Sequence, residues 1–322
     1  MRRLTRRELL AAGTAVAGLR GRMAFAKASQ PATPVDFEVP PGACDCHTHL
    51  IGDPAKFPFA AARVYTPEPA SAEEMAALHR ALHIRRVVIV TPSFYGTDNS
   101  ATLSGMRARG KDARGIAVID EKTPPGDLEA MDASGIRGVR LNLATAGQND
   151  PIAAGRLLRS AAKRIRHLNW HIQVNTNLTV IAGIRDVVAE SPVLVVFDHF
   201  GGAQSARGTS QKGWADLVGL VRSGKAYVKV SGAYSVSARP PDYPDITPFA
   251  KELVAANPDR ILWGSDWPHT TSLATRRRPI TEVTPLTAID DGRLLNRLAV
   301  WVPDADSRRK ILVDNPARLY RF

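Results

Sequence analysis

Two histidines stand two residues apart in Asp45-Cys46-His47-Thr48-His49. Pro40-Pro41-Gly42 breaks the chain before them and Gly52-Asp53-Pro54 turns it after them, so the run between reads as a strand. Strand side chains alternate, which puts His47 and His49 on one face and Cys44 and Cys46 on the other. Two imidazoles side by side at a strand end can hold a metal or polarise one oxygen, and they add little to a hydrophobic core. Alone, the pair could equally be two satisfied polar residues. Downstream, His199 and Asp266 each follow another apolar run, in Asp198-His199-Phe200-Gly201-Gly202 and Gly264-Ser265-Asp266-Trp267-Pro268-His269. A carboxylate can take a proton from water while imidazoles stabilise charge growing on a carbonyl oxygen. His47, His49, His199 and Asp266 are therefore the candidate catalytic set.

These residues meet only if the elements before them converge. Eight short apolar runs are expected as strands: the first ending at His49, then 86–90, 115–119, 138–143, 170–175, 193–197, 226–231 and 260–263. Helical stretches fall between them, at about 71–82, 101–109, 127–133, 152–168, 180–189, 213–222 and 248–256, with two more in the tail near 291–298 and 305–313. Strands that are apolar throughout are buried on both faces, as parallel strands are. The alternation predicts an α/β fold, a (β/α)8 TIM barrel. A doubly wound open sheet is the alternative, but no Gly-rich dinucleotide fingerprint follows the first strand. In a barrel of this kind the site lies at the C-terminal ends of the strands. There His47 and His49 close the first strand, Ser93 and Tyr95 follow the second, and Arg140 and Asn142 close the fourth. Asn175 closes the fifth, His199 follows the sixth and Asp266 the eighth. His171 opens its strand and is expected on the wrong face of the barrel. Gly52 to Pro69 holds four prolines and Tyr65, a loop long enough to line a site.

The formal net charge is +12, and half of it, +6, lies in residues 1–28. Arg2, Arg3, Arg6 and Arg7 precede an apolar run from Leu9 to Leu19, too short for a transmembrane helix. Small-x-small sites end at Ala26 and Ala28. This is the layout of a secretory signal, and Thr5-Arg6-Arg7-Glu8-Leu9-Leu10 has the form that the twin-arginine export machinery reads. The expectation is a periplasmic protein, cleaved near Ala26 or Ala28, with no stable membrane anchor afterwards. Residues 29–40 are Pro-rich and polar, a linker or arm, and 41–322 form the barrel domain. The mature chain is mildly basic, without Lys-rich tails or aromatics interleaved with a basic stripe, so no nucleic-acid partner is expected. A modest positive field suits a small anionic substrate. Cys44 and Cys46, the two cysteines, are too close in one strand for easy disulfide geometry.

The motifs around His47, His199 and Asp266 resemble those of the amidohydrolase superfamily, and more closely its branch of 2-pyrone-4,6-dicarboxylate lactonases and related sugar and muconolactone lactonases. Phe57-Pro58-Phe59, Tyr65-Thr66-Pro67, Pro92-Ser93-Phe94-Tyr95-Gly96-Thr97-Asp98-Asn99, Gly138-Val139-Arg140-Leu141-Asn142 and Asn315-Pro316-Ala317-Arg318-Leu319-Tyr320 carry the likeness across residues 41–322. The resemblance implies a hydrolase of ester bonds that opens a lactone. It implies polarisation of the carbonyl by His47, His49 and His199, with Asp266 activating water. Arg140 would clamp a substrate carboxylate, and Tyr65, Ser93 and Asn175 would help bind the substrate. Metal-dependent relatives usually place a histidine at the end of the fifth strand and some a lysine or glutamate at the end of the fourth. Here those ends carry Asn175 and Asn142. No metal cofactor is therefore favoured; if zinc is bound, His47, His49 and Asp266 are its expected ligands. Thr145-Ala146-Gly147 and Ala233-Tyr234-Ser235 stand where the dicarboxylate branch would supply further arginines, which implies a less anionic lactone. Arg276-Arg277-Arg278 reads as a solvated basic turn, or as a lid over a substrate carboxylate. The rival readings are a zinc-dependent amidohydrolase or decarboxylase of a small carboxylic acid, and a periplasmic binding barrel without turnover.

Overall fold

The computed structural model describes residues 28–270 and 278–322; the expected signal segment up to Lys27, and Arg276 and Arg277, lie outside the described residues. Eight parallel strands follow one another around a barrel: β1 Cys44–Thr48, β2 Arg86–Val90, β3 Ala113–Ala117, β4 Ile136–Asn142, β5 His171–Asn175, β6 Val195–Phe197, β7 Ala226–Val230 and β8 Ile261–Trp263. Each pairs with its sequence neighbour, as right-handed strand–helix crossovers require. The ring closes beyond β8, where Thr48 bridges Trp267, Asp266 N–H donates to the His47 carbonyl (2.8 Å) and His49 N–H to the Trp267 carbonyl (2.8 Å). This is the (β/α)8 barrel that the apolar runs predict.

The helices of the outer layer are α1 Ala72–Ala81, α2 Ser100–Arg109, α3 Pro125–Ala133, α4 Pro151–Ile165, α5 Leu178–Gly183, α6 Arg185–Ala189, α7 Trp214–Arg222, α8 Ala233–Val236, α9 Thr247–Ala256, α10 Asp291–Trp301, α11 Ala305–Arg309 and α12 Asn315–Tyr320. Ser71 caps α1 through a reciprocal bond pair with Glu74. The single helix expected over 180–189 is two, α5 and α6, because the backbone at Ile184 leaves helical geometry. The last expected helix, 305–313, gives way at Lys310 to a π-turn over Lys310–Asp314 and then α12.

A bulge in β1 decides which side chains share the barrel interior. Asp45 pairs with Val87 but Thr48 pairs with Ile89, so three steps on β1 match two on β2. The extra residue resets the alternation. Cys44 and Cys46 pack inside the barrel with Val88, Val90, Ile116, Val196, Tyr227 and Leu262, yet His47 also reaches inside, to Asp198 and Lys229. The expectation that the cysteines turn away from the histidines is thus corrected. They form the layer beneath them, as buried free thiols.

His171, at the start of β5, sits at the far end of the barrel from His47, His49 and His199, buried and edge-on to Tyr320 with ring centroids 5.2 Å apart. Neither ring nitrogen has a hydrogen-bond partner. Burial, with Lys229 and Arg321 adding to it, pushes its pKa down to about 3 from 6.5. Between those values the unfolded chain binds a proton that the folded chain refuses, so this residue's contribution to stability is full above pH ~6.5 and is lost as pH falls toward ~3. At about 1.4 kcal/mol per unit the loss approaches ~5 kcal/mol. Denaturant titrations of His171→Leu should show a shallower fall of stability between pH 6 and pH 4 than the wild type; an unchanged slope would rule His171 out as the source.

Residues 28–43 run as an arm across the outside of the barrel. Ala28 N–H donates to Glu74 (3.2 Å), Thr33 bonds Asp290, and Trp267 Nε1–H donates to the Ser29 carbonyl (3.0 Å). The long loop after β1 is held by stacked rings: Phe59 and Tyr65 each lie 5.4 Å from Phe94, edge to face. A two-residue pairing of Thr66–Pro67 with Val283–Thr284 pins it further. This packing places Tyr65 at the rim of the barrel mouth.

Candidate active site

Strand ends and the loops after them surround a cavity of about 420 Å³ at the C-terminal mouth. His49, Tyr65, Ser93, Arg140, Asn175, His199 and Asp266 all line it. His47 lies directly beneath, fully buried, with its Nε2 3.3 Å from His49 Nε2 and 3.5 Å from Asp266 Oδ1. The eight residues singled out from the sequence therefore come together. Tyr95 does not join them; its hydroxyl accepts from Gly52 N–H (3.0 Å) under the loop. Asn142 is also absent from the cavity lining.

Asp266 is the centre. Its Oδ1 faces three imidazoles, His47 Nε2 at 3.5 Å, His49 Nε2 at 3.6 Å and His199 Nε2 at 3.8 Å. Its Oδ2 accepts a 2.6 Å hydrogen bond from the Tyr234 hydroxyl. Burial alone would raise the pKa of Asp266, but the neighbouring imidazoles outweigh it and hold the carboxyl well below the usual range. Burial lowers both His47 and His49, so the two rings are neutral at neutral pH. The phenol of Tyr234 is pushed up by burial and by Asp266, and it stays a donor. The site thus pairs an ionised carboxylate with the neutral rings of His47 and His49.

Local backbone geometry is tight here. His199, Phe200, Asp266 and His269 all have positive φ, between 49° and 66°. Such residues persist only where the surroundings hold them, and they cluster at functional sites. Gly264 lets the chain after β8 pass against β1, where a Cβ would lie 2.7 Å from that of His47. Gly232, at φ 59°, leaves room for the His199 ring, 2.6 Å from where its Cβ would be.

Below the mouth lies a polar layer that sequence reasoning missed. Asp198 directly after β6, Gln173 within β5 and Lys229 within β7 project inward, and all are fully or almost fully buried. Arg140 donates to Asp198 Oδ2 through Nε (3.2 Å) and Nη2 (3.1 Å), and Gln173 Nε2 donates to the same oxygen (3.1 Å). Lys229 Nζ donates to Gln173 Oε1 (2.6 Å) and stands 3.2 Å from His47 Nδ1. Burial pushes Asp198 up, but the neighbouring cations of Lys229 and Arg140 overcome it and keep it ionised. Arg140 is therefore tied into a buried ion pair as well as lining the cavity. The signal for Lys229 was its phase: Tyr227, Lys229 and Ser231 alternate through a run that otherwise reads as apolar. Ser231 itself bonds His199 Nδ1 (2.9 Å).

His269 pairs with Asp291 (2.9 Å) in full burial and holds α10 to the segment after β8. Thr145, Tyr234 and Ser235, which stand where further arginines would be, all line the cavity. Among the described lining residues Arg140 supplies the one guanidinium. Two groupings among the described residues have metal-ligand spacing, His47–His49–Asp266 and His47–Asp198–His199, and both depend on His47. Asp198 in the second is already committed to Arg140 and Gln173.

A family model described as amidohydrolase matches residues 44–322. The chain is 35% identical over 291 residues to a 4-sulfomuconolactone hydrolase of Rhizobium radiobacter, covering 89% of this chain and 92% of that one. It is 31% identical to a 2-pyrone-4,6-dicarboxylate hydrolase of Comamonas testosteroni, covering 92% and 94%. The solved structure of a probable 2-pyrone-4,6-dicarboxylic acid hydrolase from Acinetobacter baumannii, with citric acid bound, superposes with a TM-score of 0.73 at 25% identity, over 87% of this chain and 100% of that one. With its whole barrel matched and its relatives aligned nearly end to end, the chain belongs to the amidohydrolase family.

Proposed function

We propose that the protein is a lactone hydrolase, an ester-bond hydrolase acting on a small lactone that carries a carboxylate. The observation that carries this reading is the Asp266 carboxylate, held by Tyr234 on one oxygen and facing three imidazoles on the other, at the floor of a cavity that Arg140 also lines. The names of the aligned relatives, both lactone hydrolases, support it.

Each residue has a place in the reaction. A lactone enters with its carboxylate toward Arg140 and its ring carbonyl toward the imidazoles. Water adds to the carbonyl carbon while Asp266 takes its proton, the general-base role. Negative charge develops on the former carbonyl oxygen, where N–H groups of His47 and His199 stabilise it while His49 orients His47. The ring C–O bond then breaks, and the leaving oxygen receives the proton that Asp266 took. One water has been added, one ring bond is lost, and the product is an open-chain carboxylic acid, which releases the water's other proton to solvent, with a hydroxyl or its keto form. Tyr234 binds Oδ2, so Oδ1 is left for the water.

Arg140 is already partly neutralised by Asp198. With hydroxyls of Thr145, Tyr234 and Ser235 beside it, the cavity suits one substrate carboxylate better than two or three. The spacing of His47, His49 and Asp266 suits a divalent cation, but Lys229 stands at the other nitrogen of His47, and water addition through Asp266 proceeds on this chain's own groups. A panel of lactones with and without a carboxylate, followed by product detection, tests the reading. Ring opening of the carboxylate-bearing members is expected; binding without product would favour the non-catalytic barrel.

A further inference from the structure

We infer that Lys229 fixes the proton of His47 on Nε2, which makes that ring a hydrogen-bond donor at the cavity floor and sets the site against zinc. At stake is which nitrogen of a neutral ring carries its hydrogen. The assignment deepens the hydrolase reading and rests on it for the purpose of that donor.

Two sets of contacts reach the same hydrogen from opposite ends. The first begins at β2. His49 Nδ1 lies 2.8 Å from the Val90 carbonyl, and a carbonyl can only accept, so His49 carries its hydrogen on Nδ1 and its Nε2 is bare. That bare nitrogen is 3.3 Å from His47 Nε2. Two facing lone pairs at that distance repel; one hydrogen between them makes a bond, and it must come from His47. The second set begins at β7. The Lys229 ammonium has three donors and no acceptor. One hydrogen goes to Gln173 Oε1 (2.6 Å) and another meets His47 Nδ1 (3.2 Å). A nitrogen that accepts from an ammonium holds no hydrogen of its own, so the ring's hydrogen is on Nε2. Asp198 Oδ1 is the competing acceptor, 3.2 Å from His47 Nδ1. Yet a hydrogen on Nδ1 would leave the Nε2 atoms of His47 and His49 bare and facing each other at 3.3 Å, so the His49 contact decides for Nε2. The result is one directed chain, from Lys229 to His47, from His47 to His49, and from His49 to the Val90 carbonyl.

This polarity bears on metal binding. Zinc held by imidazoles takes bare nitrogens. His47 belongs to both groupings with ligand spacing, and here its Nε2 points a hydrogen where the ion would sit. A metal-ligating histidine ordinarily gives its second N–H to a carboxylate or carbonyl, which bares the ligating nitrogen. Lys229 supplies the reverse polarity. It is a positioning residue, acting through His47.

Nitrogen-15 histidine spectra of the wild-type protein test this directly, with His47 assigned by the signals lost in His47→Gln. His47 is expected with its hydrogen on Nε2 and a bare Nδ1, and the reverse pattern would overturn the inference. Lys229→Met supplies the second readout. Without the ammonium, His47 Nδ1–H can turn to Asp198 and bare its Nε2. Zinc affinity, measured by competition with a chromogenic chelator, should then rise by about 10–100-fold, the scale on which outer partners tune metal sites. Equal zinc affinity in folded wild type and variant would overturn the inference. Should Lys229→Met not fold, the wild-type spectra decide alone. Neither readout uses a substrate, so a failed lactone panel and a failed hydrogen assignment are separate results.

Discussion

Asp266→Asn is expected to slow lactone hydrolysis by about 10²–10⁴-fold while the protein stays folded. The amide keeps the size of the carboxylate and can still accept from Tyr234, but it cannot take a proton from water. The backbone helps the variant survive. Asp266 sits at φ 66°, a region that asparagine tolerates better than most residues. The lost charge also removes the main electrostatic partner of three buried or half-buried imidazoles. Purified variant and wild type should be compared by single-turnover rates and by thermal melting. A folded Asp266→Asn enzyme with the wild-type rate would remove Asp266 from the chemistry.

Arg140→Met is expected to act twice. The guanidinium holds buried Asp198 through two nitrogens. Removing one partner of a buried ion pair typically costs about 3–5 kcal/mol. Lys229 and Gln173 stay beside Asp198, which places the expected loss of stability at the lower end of that range. The second effect is on binding. A buried charge pair that loses one member forfeits about 2–5 kcal/mol, so KM should rise steeply for lactones bearing a carboxylate. Lactones with an ester or amide in that place should suffer much less. Equal losses for both kinds would show that Arg140 serves Asp198 and not the substrate.

The barrel was legible because each parallel strand is an apolar run between turn signals, and the site was legible because its polar groups stand at the ends of those runs. His47, His49, His199 and Asp266 break the apolar pattern where a barrel places its chemistry. What lay one layer deeper was not. The bulge in β1 adds a residue without any side-chain signature, so strict alternation sent Cys44 and Cys46 to the wrong side. Lys229 and Gln173 each occupy the middle of a strand, where one polar residue among apolar neighbours reads as noise until the interior phase of several strands is compared. Tyr234 was read as a missing arginine; only the fold shows its hydroxyl on Asp266. In each case the information is in contacts between strands far apart in sequence, which a single chain read in order does not display.

The most direct measurement is ring opening of a carboxylate-bearing lactone, of the muconolactone or pyrone kind that the aligned relatives are named for, in oxygen-18-labelled water. Water attack at the carbonyl predicts one labelled oxygen in the newly formed carboxylate, released at a rate that collapses in Asp266→Asn. A newly formed carboxylate without label, or a whole lactone panel left closed by the folded protein, would contradict the account.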